Sequence, residues 1–154
     1  MNKIAKISAV IAVVCALAGC GSNNNNENVN VSTIYSGISP MADGNLVEMN
    51  DNYILNYYGI NTADLQEYVF AQSDDPKSAE TIIIFKCDDK EKRNTYEEAV
   101  SNALEQKEQE LSNYDLPDEA KLVKDAKIKT SGNLVYVVIS DNADSMNKII
   151  KDSI

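Results

Sequence analysis

The sequence predicts an α+β domain: a small, mostly antiparallel sheet with a ββαββα core, helices packed on it, and short helices ahead of it. Three observations carry that prediction. Residues 82–85 and 135–139 are continuously apolar and rich in β-branched side chains, as in strands buried within a sheet. Each run follows a shorter strand-like segment across a turn, Asp74-Asp75-Pro76 in one case and Ser131-Gly132-Asn133 in the other, as hairpins require. Between the hairpins lies a long charged segment with one apolar stripe at helical spacing.

The folded region is expected to begin near Val31. Val31, Ile34, Tyr35 and Ile38 recur at helical spacing, predicting a short amphipathic helix that Pro40 stops. Asp43-Gly44-Asn45 reads as a turn. Asn50 or Asp51 can cap a second short helix, with Ile54, Leu55 and Tyr58 inward and Gly59 as its stop. Segments 65–73 and 80–87 read as strands, and the short gap between them makes an antiparallel pair. Segment 90–112 is the long helix, with Tyr96, Val100, Ala103, Leu104, Lys107 and Leu111 on one stripe. Glu97, Glu98, Glu105, Glu108 and Glu110 lie elsewhere and read as a solvated face, with the Lys107 stem along the edge of the stripe. Pro117 opens a helical turn to about Val123. Segments 127–130 and 134–140 form the second hairpin. Asp141 or Asn142 then caps a final helix with Met146, Ile149, Ile150 and Ile154 on one face. A right-handed crossover is expected through the long helix if the strands it joins are parallel neighbours.

The start of the chain reads differently. Lys3 and Lys6 precede an apolar run of eleven residues, 7–17, which has signal-peptide length and is too short to span a bilayer as a helix. The run ends in Leu17-Ala18-Gly19-Cys20, small residues before a cysteine, and looks like the lipobox of a bacterial lipoprotein signal. On that reading a peptidase recognises Leu17, Ala18 and Gly19 and cuts before Cys20, whose thiol carries the lipid. Residues 1–19 are then the signal peptide, 20–30 the lipidated cysteine and an Asn-rich tether, and 31–154 a single α+β domain. Two or three acyl chains on one cysteine anchor a protein stably. The expected location is therefore the extracytoplasmic face of the cell membrane, with the membrane as a partner through Cys20. As flexible coil, the tether of about ten residues reaches roughly 15–20 Å.

Composition narrows function by exclusion. The chain has 154 residues with 14 basic and 24 acidic side chains, a formal charge of −10. Loss of Lys3 and Lys6 with the leader takes it to −12. Such a surface repels phosphates, so no nucleic-acid partner is expected. The chain has no histidine, the commonest general base and metal ligand. Cys15 leaves with the leader and Cys20 is acylated, so Cys87 has no partner for an internal disulfide. It reads as a small buried hydrophobe at a strand end. Asp88 and Asp89 would raise its thiol pKa, with Lys86 and Lys90 partly offsetting them.

Asp141, Asn142 and Asp144 offer oxygen ligands, but lack EF-hand spacing and a closing glutamate, and helix capping explains them as well. The pairs Asp74 with Asp75 and Asp88 with Asp89 sit in turns after strands, where acids are usually solvated. No nucleophile elbow, phosphate loop, dinucleotide fingerprint or cysteine metal cluster occurs. No catalytic residue, metal or cofactor is therefore expected. One candidate partner surface stands out. Tyr53 and Tyr57 are one helical turn apart, beside the stripe of Ile54 and Tyr58. All four can be core. Alternatively, Ile54 and Tyr58 face inward while Tyr53 and Tyr57 stay partly exposed for docking.

Tyr57-Tyr58-Gly59-Ile60, the Tyr68-Val69 strand, Gly132-Asn133-Leu134-Val135 and the stretch Val138-Ile139-Ser140-Asp141-Asn142-Ala143-Asp144 together resemble a family. It is an uncharacterised lipoprotein family of clostridial and related Gram-positive bacteria, domain of unknown function 4358. The resemblance covers most of the mature chain. It implies a cell-envelope lipoprotein and supplies no catalytic residues. The expected function is a non-enzymatic binding or accessory protein that engages an unknown protein or small-molecule ligand. A small carboxylate-based hydrolase and a structural or inhibitory docking protein are the alternatives.

Overall fold

The computed structural model describes residues 29–154, so Leu17, Ala18, Gly19, Cys20 and most of the expected tether lie outside the described residues. Helix α1, Val31–Ile38, starts where the Asn30 side chain accepts the Thr33 amide at 2.8 Å, and it buries Val31, Ile34 and Ile38. Pro40 then lies in a 3-10 turn, Ser39–Met41. Strand β1, Leu46–Glu48, follows. The sequence reading did not anticipate it, because three residues are too few to show a period.

Helix α2, Asp51–Tyr53, is capped by Asn50 and runs directly into a π-helical turn, Ile54–Tyr58. Gly59 ends it in the left-handed conformation, φ +70°, which suits a residue without a Cβ. Ile54 and Tyr58 are buried as expected, but Leu55 is half exposed rather than inward. The wider π turn rotates it off the face those two share.

Strand β2, Glu67–Ser73, and strand β3, Thr81–Lys86, form the first hairpin. Helix α3, Lys90–Asn113, begins at Asp89, whose carboxylate accepts the Glu91 and Lys92 amides. Helix α4 is Pro117–Asp125. Strands β4, Lys129–Ser131, and β5, Leu134–Ile139, close the second hairpin through Gly132-Asn133. Gly132 takes φ +60°, as the first position of a tight two-residue turn requires. Helix α5, Ala143–Asp152, follows. Asn142 precedes it, but its side chain makes no capping bond and instead donates to the Met41 carbonyl at 2.9 Å, tying the helix to the loop after α1.

The fold is α+β. The sheet order is β1-β2-β3-β5-β4, and every neighbouring pair is antiparallel. The crossover rule for parallel neighbours therefore does not arise. Compared with the simple ββαββα pattern, β1 adds an edge strand and α4 a helix between α3 and β4.

Alternation along the strands divides the core in two. Phe70, Ile83, Phe85, Val135, Val137 and Ile139 pack under α3, α4 and the π turn. Val69, Ala71, Ile82, Ile84, Leu134, Tyr136 and Val138 pack under α1 and α5. Because helices cover both faces, β3 and β5 are buried along their whole length, which is why their sequences read as unbroken apolar runs.

Candidate functional site

Tyr53 and Tyr57 sit on the α2–π turn at the edge of the helical layer over β2. Their rings stack with centroids 5.4 Å apart and planes 16° from parallel. Tyr57 meets Tyr58 edge-on at 4.9 Å, Tyr58 tilts against Phe70 at 5.2 Å, and Phe70 stacks on Phe85 at 6.0 Å. A continuous aromatic file thus runs from surface to core. Tyr58, Phe70 and Phe85 are buried, while Tyr53 and Tyr57 are half-buried against the core with part of each ring in solvent. Ile54 and Tyr58 thus point inward, and Tyr53 and Tyr57 lie at the margin of the same core. The backbone reason is local: π turns are rare insertions, often found at functional sites, and this one places the Tyr57 ring over that of Tyr53.

The stacked pair lines a cleft of about 140 Å³, with Gln72 on β2, Pro76 in the β2–β3 turn, and Lys107, Glu110, Leu111 and Tyr114 from the end of α3. Tyr114 is 77% exposed. It sits where α3 ends in a Schellman turn: the Leu116 amide bonds the Leu111 carbonyl at 3.0 Å and the Asp115 amide bonds that of Ser112 at 3.2 Å. Asp115 holds the left-handed position usual for glycine, φ +60°. A second hollow of about 420 Å³ adjoins the cleft, sharing Pro76 and Tyr114 and adding Lys77 and Leu116.

Lys107 supplies the amine in this cleft. Its Nζ donates to Thr81 Oγ1 at 2.9 Å, and Thr81 donates to the Ala79 carbonyl at 2.9 Å. Among the described residues it makes no ion pair. Burial pushes its pKa down to about 8, against the opposing pull of Glu110 and Glu119. Burial also pushes Tyr57 up to about 12, with Glu110 and Tyr53 adding to the rise.

The other residues singled out from the sequence are scattered. Cys87 is a buried free thiol at the end of β3, as expected, and burial raises its pKa. Asp88 accepts hydrogen bonds from Gln66 and Asn133, whereas Asp89 caps α3. Asp75 closes the hairpin turn by accepting the Lys77 amide at 2.9 Å. Among the described residues no group of three or more His, Cys, Asp or Glu side chains is placed to hold a metal ion. No helix of the described residues is long and apolar enough to cross a membrane.

Sequence reasoning missed Tyr114, Gln72, Pro76 and Glu110 as neighbours of the tyrosine pair. The available signal was the position of Tyr114, three residues after Leu111 on the same helical stripe yet at the very end of the charged helix.

A family model described as Domain of unknown function (DUF4358) matches residues 40–140. No curated protein and no solved structure matches the chain.

Proposed function

Since the chain belongs to the domain of unknown function 4358 family, which brings no activity with it, we propose a role from its own residues. It is a lipoprotein held at the extracytoplasmic face of the membrane through Cys20, and it binds a ligand in the tyrosine cleft without transforming it. The carrying observation is the stacked pair of Tyr53 and Tyr57, partly exposed and lining one cleft with the exposed Tyr114. Tyrosine suits recognition because an apolar ring and a polar tip gain contact area at small entropic cost. The leader pattern ending at Cys20 supports the anchor. Against a carboxylate hydrolase stands the use of Asp89 as a helix cap and of Asp75 as a turn former.

The test uses cells producing the full chain, labelled with palmitate, fractionated, and cross-linked in place. Cys20→Ser should lose the label and leave the membrane fraction. Tyr53→Ala with Tyr57→Ala should stay on the membrane and lose its cross-linked ligand. Membrane retention of an unlabelled Cys20→Ser chain sinks the anchor, and unchanged cross-links in the double variant sink the cleft.

A further inference from the structure

We infer that the tyrosine cleft is a subsite for a neutral saccharide, with one ring seated beside Tyr53 and Tyr57 and the next carried across Tyr114 into the adjoining hollow. This rests on the reading of the cleft as a binding site and names the chemistry it accepts.

Shape comes first. A pyranose has a flat apolar face of C–H groups and a rim of hydroxyls. The Tyr53 and Tyr57 rings stack on each other and line the cleft as one aromatic block, and Tyr114 offers a second surface that is 77% exposed. Aromatic walls with polar tips take such a ring by stacking while their hydroxyls reach its rim. The cleft, about 140 Å³, has room for about one sugar ring. The adjoining hollow, about 420 Å³ and walled largely by Pro76, Tyr114 and Leu116, has room for the neighbouring one.

The polar groups come next. Vicinal hydroxyls both donate and accept, so they need a mixed lining. Gln72 supplies an amide that does both. Glu110 uses Oε1 to accept from Gln106 at 2.7 Å, leaving Oε2 as an acceptor. Lys107 has one N–H on Thr81, leaving donors toward the cleft.

Charge selects among polar ligands. The chain's formal charge of −10 and the cleft carboxylate of Glu110 oppose an anion. The Lys107 amine in the same small cleft offsets the attraction that Glu110 and three tyrosines would otherwise hold for an organic cation. A ligand rich in hydroxyls and without net charge meets neither objection.

The full lipidated chain in nanodiscs can be titrated with chitohexaose, cellohexaose and maltohexaose, with polygalacturonate and choline chloride as charged probes. Saturation-transfer NMR follows binding and identifies the sugar protons in contact, and its loss in Tyr114→Ala assigns the signal to the cleft. At least one neutral hexasaccharide should bind saturably. Tyr114→Ala and Gln72→Ala should each weaken it by about ten-fold or more with an unchanged melting temperature; Tyr114 is exposed enough that its truncation leaves the fold intact. The inference is overturned if none of the three sugars saturates, if Tyr114→Ala binds as well as wild type, or if a charged probe binds the cleft more tightly. In each of those cases the in-cell cross-link through Tyr53 and Tyr57 reports separately whether the cleft holds another ligand.

Discussion

Replacing Lys107 with methionine should stabilise the domain near neutral pH. The lysine stem lies along the apolar stripe of α3, and its amine reaches Thr81 with no carboxylate in ion-pair range among the described residues. Lowering its pKa from 10.5 to about 8 corresponds to a cost of about 3 kcal/mol for holding the ammonium in the fold at about pH 7. Contact with solvent through the cleft trims that figure. Methionine keeps the stem and removes the charge, but loses the Thr81 hydrogen bond, worth about 1 kcal/mol. The net expectation is a gain of about 1–2 kcal/mol. The pH dependence provides an independent check. In the unfolded chain the amine keeps its proton up to 10.5, in the fold only to about 8. Between those values the unfolded state binds more protons, so wild-type stability rises with pH and the advantage of methionine shrinks. Urea unfolding of both proteins near pH 7 and near pH 9.5 measures this. A variant less stable than wild type near pH 7, or a gap that does not narrow near pH 9.5, would refute the reasoning.

Glu67→Gln leaves Lys86, which is 2% exposed, without its 3.0 Å partner, and should cost about 2–4 kcal/mol in urea unfolding. Burial pulls the Glu67 carboxyl up, but hydrogen bonds from Lys86 and the Val31 amide, with the Lys86 charge, hold it below the ordinary carboxylate range. Its contribution should therefore hold above that range and fade as pH falls through the lower folded value, which acid titration of the two proteins compares. Asp115→Gly relieves a left-handed aspartate and should raise stability by about 0.5–1 kcal/mol in the same assay. Tyr53→Ala with Tyr57→Ala should cost less than Phe85→Ala, which empties the core for about 3–5 kcal/mol; equal losses would assign both tyrosines to the core. Thermal melts with chelator and with reductant should leave the melting temperature unchanged, and a large drop under either contradicts a fold that needs neither metal nor disulfide.

The hairpins and the long helix were legible because each is long enough to show its period. Ile82, Ile83, Ile84 and Phe85 announced a strand covered on both faces, and Asp74-Asp75-Pro76 fixed its partner. β1 was not legible, since Leu46, Val47 and Glu48 gain strand character only from pairing with Ser73, Gln72 and Ala71. Leu55 was misplaced because helical spacing assumes an α turn, and residues 54–58 wind as a π turn. The tyrosine pair was visible as a spacing, but the cleft was not. Gln72, Pro76 and Tyr114 come from a strand, a turn and a helix end, and only the tertiary packing brings them together. Tyr114 continues the buried stripe yet stands in solvent. A helix of 24 residues is about 36 Å long while the six residues of β3 span about 20 Å, so its ends outrun the sheet beneath.

The bond between the Val31 amide and Glu67, 2.8 Å long, also has a mechanical meaning. Tension on the chain ahead of Val31 enters the fold at the first turn of α1. There the amide is clipped to β2 through Glu67, whose other oxygen holds Lys86 on the central strand β3. Load on that first turn is shared with the middle of the sheet through Glu67 and Lys86 instead of falling on one helix end alone. A domain gripped in this way should resist pulling from its N-terminal side better than its small size suggests, and the clip at Glu67 is where that resistance starts.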